Sequence, residues 1–188
     1  HKVSIYSKPN WADGYDVVVH NECFGAVKDE AFVEGITKVH KDGKPGVALH
    51  CSMHSYRAVE TDEWRKALGV SSYNHGKHAP IEMTNLKKEH PVMKGFPDRW
   101  TTPKGELYNI AKLWDSATPL AMGKANGKEN VCVWVNQYGE GRMFGTTVGH
   151  HNETMAEDTY LDLVTRGLLW ACGKLGEDGK PLPGYGAK

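Results

Sequence analysis

Short valine-rich runs separated by stretches of helical spacing set the pattern of this chain. Residues 16–20 form a compact apolar run of the kind a buried parallel strand needs, after a weakly alternating stretch at residues 2–6 and a turn at Pro9-Asn10. Val27, Ala31, Val33, Ile36 and Val39 then recur at near-helical spacing and Gly43 follows the last turn, so residues 27–39 predict a crossover helix. Residues 45–50 supply the next buried strand, and strand, helix, strand is the unit of a parallel α/β sheet. A short helix is predicted over residues 61–68, capped by Thr61 and stopped by Gly69, with a strand at residues 79–83 and a Gly- and Pro-rich loop from His90-Pro91. Residues 131–135 and 142–148 flank Tyr138-Gly-Glu-Gly141 as a β-hairpin whose glycines supply positive φ angles. Tyr160, Leu163, Val164, Leu168 and Trp170 mark an apolar face on a helix over residues 159–172, ended by Gly173. The pattern gives one α/β domain over residues 1–172, and the aperiodic Gly-, Pro- and Lys-rich residues 173–188 predict a tail or linker.

At 188 residues the chain suffices for one domain with a sizeable core. Lys plus Arg and Asp plus Glu both number 23, which removes the electrostatic footprint of a nucleic-acid or anionic-membrane binder and favours a small ligand of little charge. No apolar run approaches the ~20 residues of a membrane span, and no signal-peptide pattern follows His1, although a leader already removed would be compatible with export. The four cysteines form no C-x-x-C pair and no small-domain disulfide framework. Cys23, Cys132 and Cys172 lie in apolar patterns and read as small core residues, whereas Cys51 stands at a strand end. Six of the ten histidines fall in three local groups, His50 and His54, His75 and His78, and His150 and His151, and such grouping is what a metal or acid–base site needs.

Ligands of open parallel sheets bind beyond the carboxyl ends of the strands, which predicts that His20-Asn21-Glu22, His50-Cys51-Ser52 and His150-His151 face one crevice. Three chemistries fit such a crevice. His50, His54, Glu106, His150 and His151 are candidate ligands for a divalent ion such as zinc or manganese, although no compact H-E-x-x-H motif is present. Alternatively, Cys51 at a strand-to-helix turn would act as a nucleophile with His151 as base and Glu153 as its orienting acid. Against this stand His50 and Ser52, where a nucleophile elbow normally has small residues, commonly glycine. The third chemistry is a non-catalytic sugar-binding module built on Trp64, Trp100, Trp114, Trp134 and Tyr108. Arg57 and Arg142 are candidate clamps for an anionic or hydroxyl-rich ligand, and residues 74–78 read as a loop over the crevice.

Taken in order, the motifs resemble the ThuA-like, or trehalose-utilisation, family. They run through Tyr15-Asp-Val-Val-Val19, Val47-Ala-Leu-His-Cys51, Trp64 with Leu68-Gly69, His75 and His78, and His90-Pro-Val-Met-Lys-Gly95. They continue through Glu106-Leu-Tyr108, Val133-Trp134, Tyr138-Gly-Glu-Gly-Arg142 with Phe144, Gly149-His150 and Gly167-Leu-Leu-Trp170. The resemblance implies a flavodoxin-like three-layer α/β sandwich with a mainly parallel sheet, related to class I glutamine amidotransferases. It also implies a bacterial role in carbohydrate catabolism, as a hydrolase, lyase or isomerase acting on a disaccharide or a keto-sugar derivative, in an exported, periplasmic or a cytoplasmic location. Glutaminase activity is not implied. Carried onto this chain, the site comprises Glu106, His150 and His50 as catalytic or metal-binding residues, with Tyr108, Arg142, His78, His54 and Arg57 around the substrate. Two departures stand out. Gly105 replaces the Asp that usually precedes Glu-Leu-Tyr, and the family's opening strand and helix have no counterpart before His1. The second departure predicts an exposed sheet edge, in a fragment of a longer protein, a fusion to other domains, or a chain that self-associates.

Overall fold

A computed structural model describes residues 3–186. In chain order the strands are β1 (Val18–His20), β2 (Gly46–Leu49), β3 (Val70–His75), β4 (Glu82–Asn85), β5 (Arg99–Thr101), β6 (Tyr108–Leu113), β7 (Ala117–Ala125), β8 (Lys128–Tyr138) and β9 (Gly141–Thr146). The helices are α1 (Glu30–Lys41), α2 (Glu63–Leu68), α3 (Asn152–Met155) and α4 (Asp158–Ala171). Among the described residues a seven-stranded sheet runs β1-β2-β9-β8-β7-β4-β5, and β3 pairs with β6 in a small second sheet. The β1–β2 and β2–β9 neighbours are parallel and the remaining neighbours antiparallel, so β1, β2, β9, β7 and β5 point one way and β8 and β4 the other.

The strand alternation splits the apolar side chains between two cores. Val47, Val133, Val135 and Phe144 face one layer with Tyr160 and Leu163 of α4, while Ala48 and Trp134 face the other with Val33 and Ile36 of α1 and Trp64 and Leu68 of α2. The result is the expected α/β sandwich.

Helix α1 begins three residues later than its apolar spacing suggests, because the Asp29 carboxylate accepts from the Phe32 amide at 3.0 Å and caps the helix there. Asp62, not Thr61, occupies the cap position of α2, and its side chain makes no capping bond. Residues 3–5, within the weakly alternating stretch, form a 3-10 turn, and Lys2 lies outside the described residues. The Gly/Pro-rich segment after Gly173 folds back on the domain: Leu175 is buried and bridges Pro181, and Arg166 donates to the Gly179 carbonyl at 2.6 Å. No helix among the described residues is long and apolar enough to cross a membrane.

Candidate active site

Residue pairing across the parallel strands sets the site. Leu49 of β2 lies opposite Thr146 of β9, so the segments leaving these two strand ends start side by side. After Leu49 the chain enters a 3-10 turn, His50–His54, with His50 at φ +38°, a left-handed conformation uncommon for a side-chain-bearing residue. After Thr146 it swings through Gly149 at φ +122°, where an added Cβ would lie 2.5 Å from the Tyr160 hydroxyl, so glycine is required to deliver His150 to the same place. Glu106, in the loop before β6, enters from the second sheet.

Four imidazoles surround the Glu106 carboxylate, which is 5 % exposed. Oε2 lies 3.1 Å from His150 Nδ1 and 3.5 Å from His50 Nε2, and Oε1 lies 2.6 Å from His78 Nε2 and 3.6 Å from His75 Nδ1. His50 Nε2 and His150 Nδ1 are 2.9 Å apart. The donor atoms of His50, Glu106 and His150 all lie within 4.8 Å of one another, as do those of His78, His150 and His151.

The tautomer of His50 follows from its other nitrogen. Nδ1 sits 2.7 Å from the Thr147 carbonyl, which can only accept, so Nδ1 carries the hydrogen and the Nε2 lone pair of the neutral ring faces the carboxylate. Burial, above all, lowers the pKa of His50 and keeps the ring neutral, and burial likewise lowers that of His150. The Tyr108 hydroxyl, 3.3 Å from His50 Nε2, donates to that lone pair, and burial raises its pKa so that the proton stays on. The His54 ring stacks on Tyr108 at 4.1 Å with 5° between planes and is fixed by Ser72 Oγ at 3.1 Å, while burial, followed by Arg57, pushes its pKa down to about 4.

Most expected residues therefore converge: His50, His54, His78, Glu106, Tyr108 and His150 meet, and Arg57 reaches the rim beside His54, donating to the Tyr73 carbonyl at 3.3 Å. Arg142 does not. It lies near the start of β9, its guanidinium 5.0 Å over the Trp170 ring, about 13 Å down the strand from Thr146. His20 and Glu22 are not joined to these residues by hydrogen bonds; they are bonded to each other at 2.9 Å in a separate buried cluster with Tyr6, His40 and Tyr56.

The Cys51, His151, Glu153 set is not joined by hydrogen bonds. Glu153 pairs with Lys104 at 3.2 Å, His151 packs against the His78 and His150 rings, and its buried Nε2 has no hydrogen-bond partner among the described residues. Burial, followed by contact with Cys23, pushes the Cys51 thiol up to about 11, the reverse of an activated nucleophile. Of the aromatic candidates, Trp64 and Trp134 are sealed in the core and bonded through their indole nitrogens to the Ser52 and Leu68 carbonyls.

Gly105 answers to packing. A Cβ there would meet Ile81 Cδ1 at 2.5 Å and Cγ1 at 2.8 Å, so an Asp in this position requires the buried Ile81 side chain to shift. The sequence reading grouped His75 with His78 but gave it no role in the site, where the register of β3 with β6 sets it opposite Tyr108, and it omitted Thr147, whose carbonyl no side-chain pattern reveals.

A family model described as ThuA, trehalose utilisation, matches residues 5–171. The chain belongs to the ThuA family. Among solved structures, this ThuA domain is similar to a ThuA-like protein from Parabacteroides merdae, at 20 % identity and TM-score 0.76 over 92 % of this chain and 75 % of that one. A ThuA-like protein from Bacteroides uniformis shares 17 % identity at TM-score 0.74, covering 90 % and 74 % of the two chains. A cytoplasmic protein from Salmonella typhimurium shares 16 % identity at TM-score 0.64, covering 90 % and 78 %. At these identities the likeness is one of fold. No curated protein matches this ThuA domain.

Proposed function

We propose that the chain is a carbohydrate-processing enzyme acting on a disaccharide or keto-sugar derivative, with His50, Glu106 and His150 holding a divalent ion, zinc or manganese, at the crevice floor. The observation that carries this reading is the triangle of donor atoms with edges of 2.9, 3.1 and 3.5 Å. Two donors ~2.0–2.1 Å from a tetrahedral ion stand about 3.3 Å apart, so the three side chains already have the spacing of a shared ligand set. The Nδ1 hydrogen of His50 is spent on Thr147, which is the outer-shell bond that fixes a ligating imidazole.

When bound, such an ion would polarise a sugar oxygen or acidify a water. The protein's own groups do the rest. His50 is kept neutral and aimed by Thr147. With the His50 Nε2 given to an ion, the Tyr108 hydroxyl would be free to donate to a substrate hydroxyl, and the stacked His54 ring holds Tyr108 in place. His78, 54 % exposed and 2.6 Å from the second oxygen of Glu106, stands where a proton can pass between the carboxylate and solvent.

The test is metal content by mass spectrometry on protein purified without chelator or His tag, alongside His150→Ala. Near-stoichiometric divalent ion lost in the variant is the expected result. If wild-type protein retains no ion even after loading with zinc and manganese, the metal reading fails and the cluster is left with acid–base chemistry alone.

A further inference from the structure

His150 stands in two donor sets. With His50 and Glu106 it forms an inner set whose other members are buried, and with His78 and His151 an outer set of exposed and half-buried residues, the donor atoms of each set lying within 4.8 Å of one another. The outer rings pack edge to face, with centroids 4.8 Å apart for His78 and His150, 5.1 Å for His78 and His151, and 4.6 Å for His150 and His151. Among the described residues, His151 Nε2 is the one buried imidazole nitrogen without a hydrogen-bond partner. A buried polar atom left so is costly, and a role as metal ligand is a physical reason to keep one. The outer set is all nitrogen. No thiol joins it, and Cys23 is exposed, contrary to its expected place in the core. Neutral imidazoles suit zinc and disfavour manganese, which prefers carboxylate and water oxygens. Donors around a tetrahedral ion stand about 3.3 Å apart, a spacing to which the exposed His78 and His150 rings can close.

We propose that His78, His150 and His151 form an entry site for zinc on the solvent side of the crevice, from which the ion passes inward to His50 and Glu106. The hand-over rests on the inner triangle proposed above, whereas the entry site stands on its own residues. A neutral imidazole has one lone pair, so the shared His150 serves one ion at a time and the two positions exclude each other. Transfer is a ligand exchange in which the bonds to His78 and His151 give way to bonds to His50 and Glu106, with His150 common to both ends. The path is contiguous, because His78 Nε2 lies 2.6 Å from Oε1 of the carboxylate that receives the ion.

The experiment follows zinc in the chelator-stripped full chain, purified without a His tag, by calorimetric titration and by stopped-flow uptake from a zinc-loaded fluorescent chelator. His50→Ala, and Glu106→Ala as a second break of the inner set, should each retain one weakly held zinc that is lost when His151→Ala is added. His151→Ala alone should keep the wild-type affinity while zinc uptake and release both slow by about tenfold or more. Uptake at the wild-type rate in His151→Ala would overturn the proposal. So would inner-set variants that bind no zinc although the wild type binds it, a result that leaves the inner triangle standing. Zinc that both inner-set variants hold at wild-type affinity and that His151→Ala loses would overturn the inner triangle, and the hand-over with it. A wild-type chain that takes up no zinc overturns both.

Discussion

At His20 the Glu22 carboxylate accepts from the Tyr6 hydroxyl at 3.1 Å, the Tyr56 hydroxyl at 3.2 Å and the ring Nδ1 at 2.9 Å, while at His50 the Glu106 carboxylate meets four imidazoles and no hydroxyl within bonding distance. The first cluster is closed. His40 Nδ1 donates to the Lys44 carbonyl at 2.9 Å, and its Nε2 lies 2.9 Å from His20 Nε2, so both ring nitrogens of His20 are engaged and no ring position is left over. In the second cluster the Nε2 lone pair of His50 takes a longer bond, 3.3 Å, from the Tyr108 hydroxyl, and the His150 side chain is 35 % exposed. The same residue types are therefore fully engaged and buried in one place and partly open to solvent in the other, and the difference lies in how the surrounding backbone and tyrosines engage the ring nitrogens and carboxylate oxygens.

The largest effect expected from this contrast is on stability. Glu22→Ala should destabilise the fold by about 3–5 kcal/mol, because it leaves a buried imidazole without its carboxylate. Urea unfolding measures this, and a folded Glu22→Ala protein should retain its metal stoichiometry. Glu106→Ala should show the reverse: affinity for zinc or manganese weaker by at least about a hundredfold by calorimetric titration, with a nearly unchanged unfolding midpoint. A Glu106→Ala protein that binds metal normally and unfolds readily would erase the distinction between the clusters.

Acid should act through both clusters, because burial lowers the pKa of His54 to about 4 and those of His50 and His150 as well as that of His40. Burial, aided by His20, pushes the native His40 pKa down to about 3, so an unfolded chain with a pKa near 6.5 binds a proton that the native state refuses. Stability should therefore fall as pH drops from about 6.5 toward 3, with His40 contributing at most about tenfold in the folding equilibrium per pH unit. Glu22, whose pKa is also lowered, adds to the loss below about 4.5. Denaturation midpoints that stay flat between pH 7 and 4.5 would contradict this burial-driven assignment. Smaller effects belong to the periphery. Tyr108→Phe should reduce turnover of an identified sugar substrate by about tenfold with metal content intact. Arg142→Ala should change turnover by less than about twofold, since its partner is Trp170.

The elements that the pattern gave away are those with clean periodicity: the β1-α1-β2 unit, the β8–β9 hairpin and α4. Strand β7 escaped notice because Pro119 and Gly123 interrupt it and its register with β8 shifts near Pro119. Strand β3 reads as polar because Ser71 and Ser72 are buried within it while its last three residues are exposed. The site was legible at His50 and His150 because both follow apolar strand runs. Placing Arg142 there failed because it lies near the other end of the strand that delivers His150. His20 was misplaced for a different reason. It does end a strand, but residues from the opening segment and from α1 close over it, and no local pattern announces a long-range partner such as His40 or Tyr6.

The pairing of Leu49 with Thr146 brings together His50 and His150, 100 residues apart in the chain. Because β9 is the last strand of the sheet in chain order, a chain emerging from the ribosome carries His50 and Glu106 well before the third donor exists. Contacts of such separation form late, after the loop-closure entropy has been met. The metal capture proposed for this triangle would thus be tied to the final seating of the sheet, and an immature chain would offer an ion two side chains with no fixed geometry.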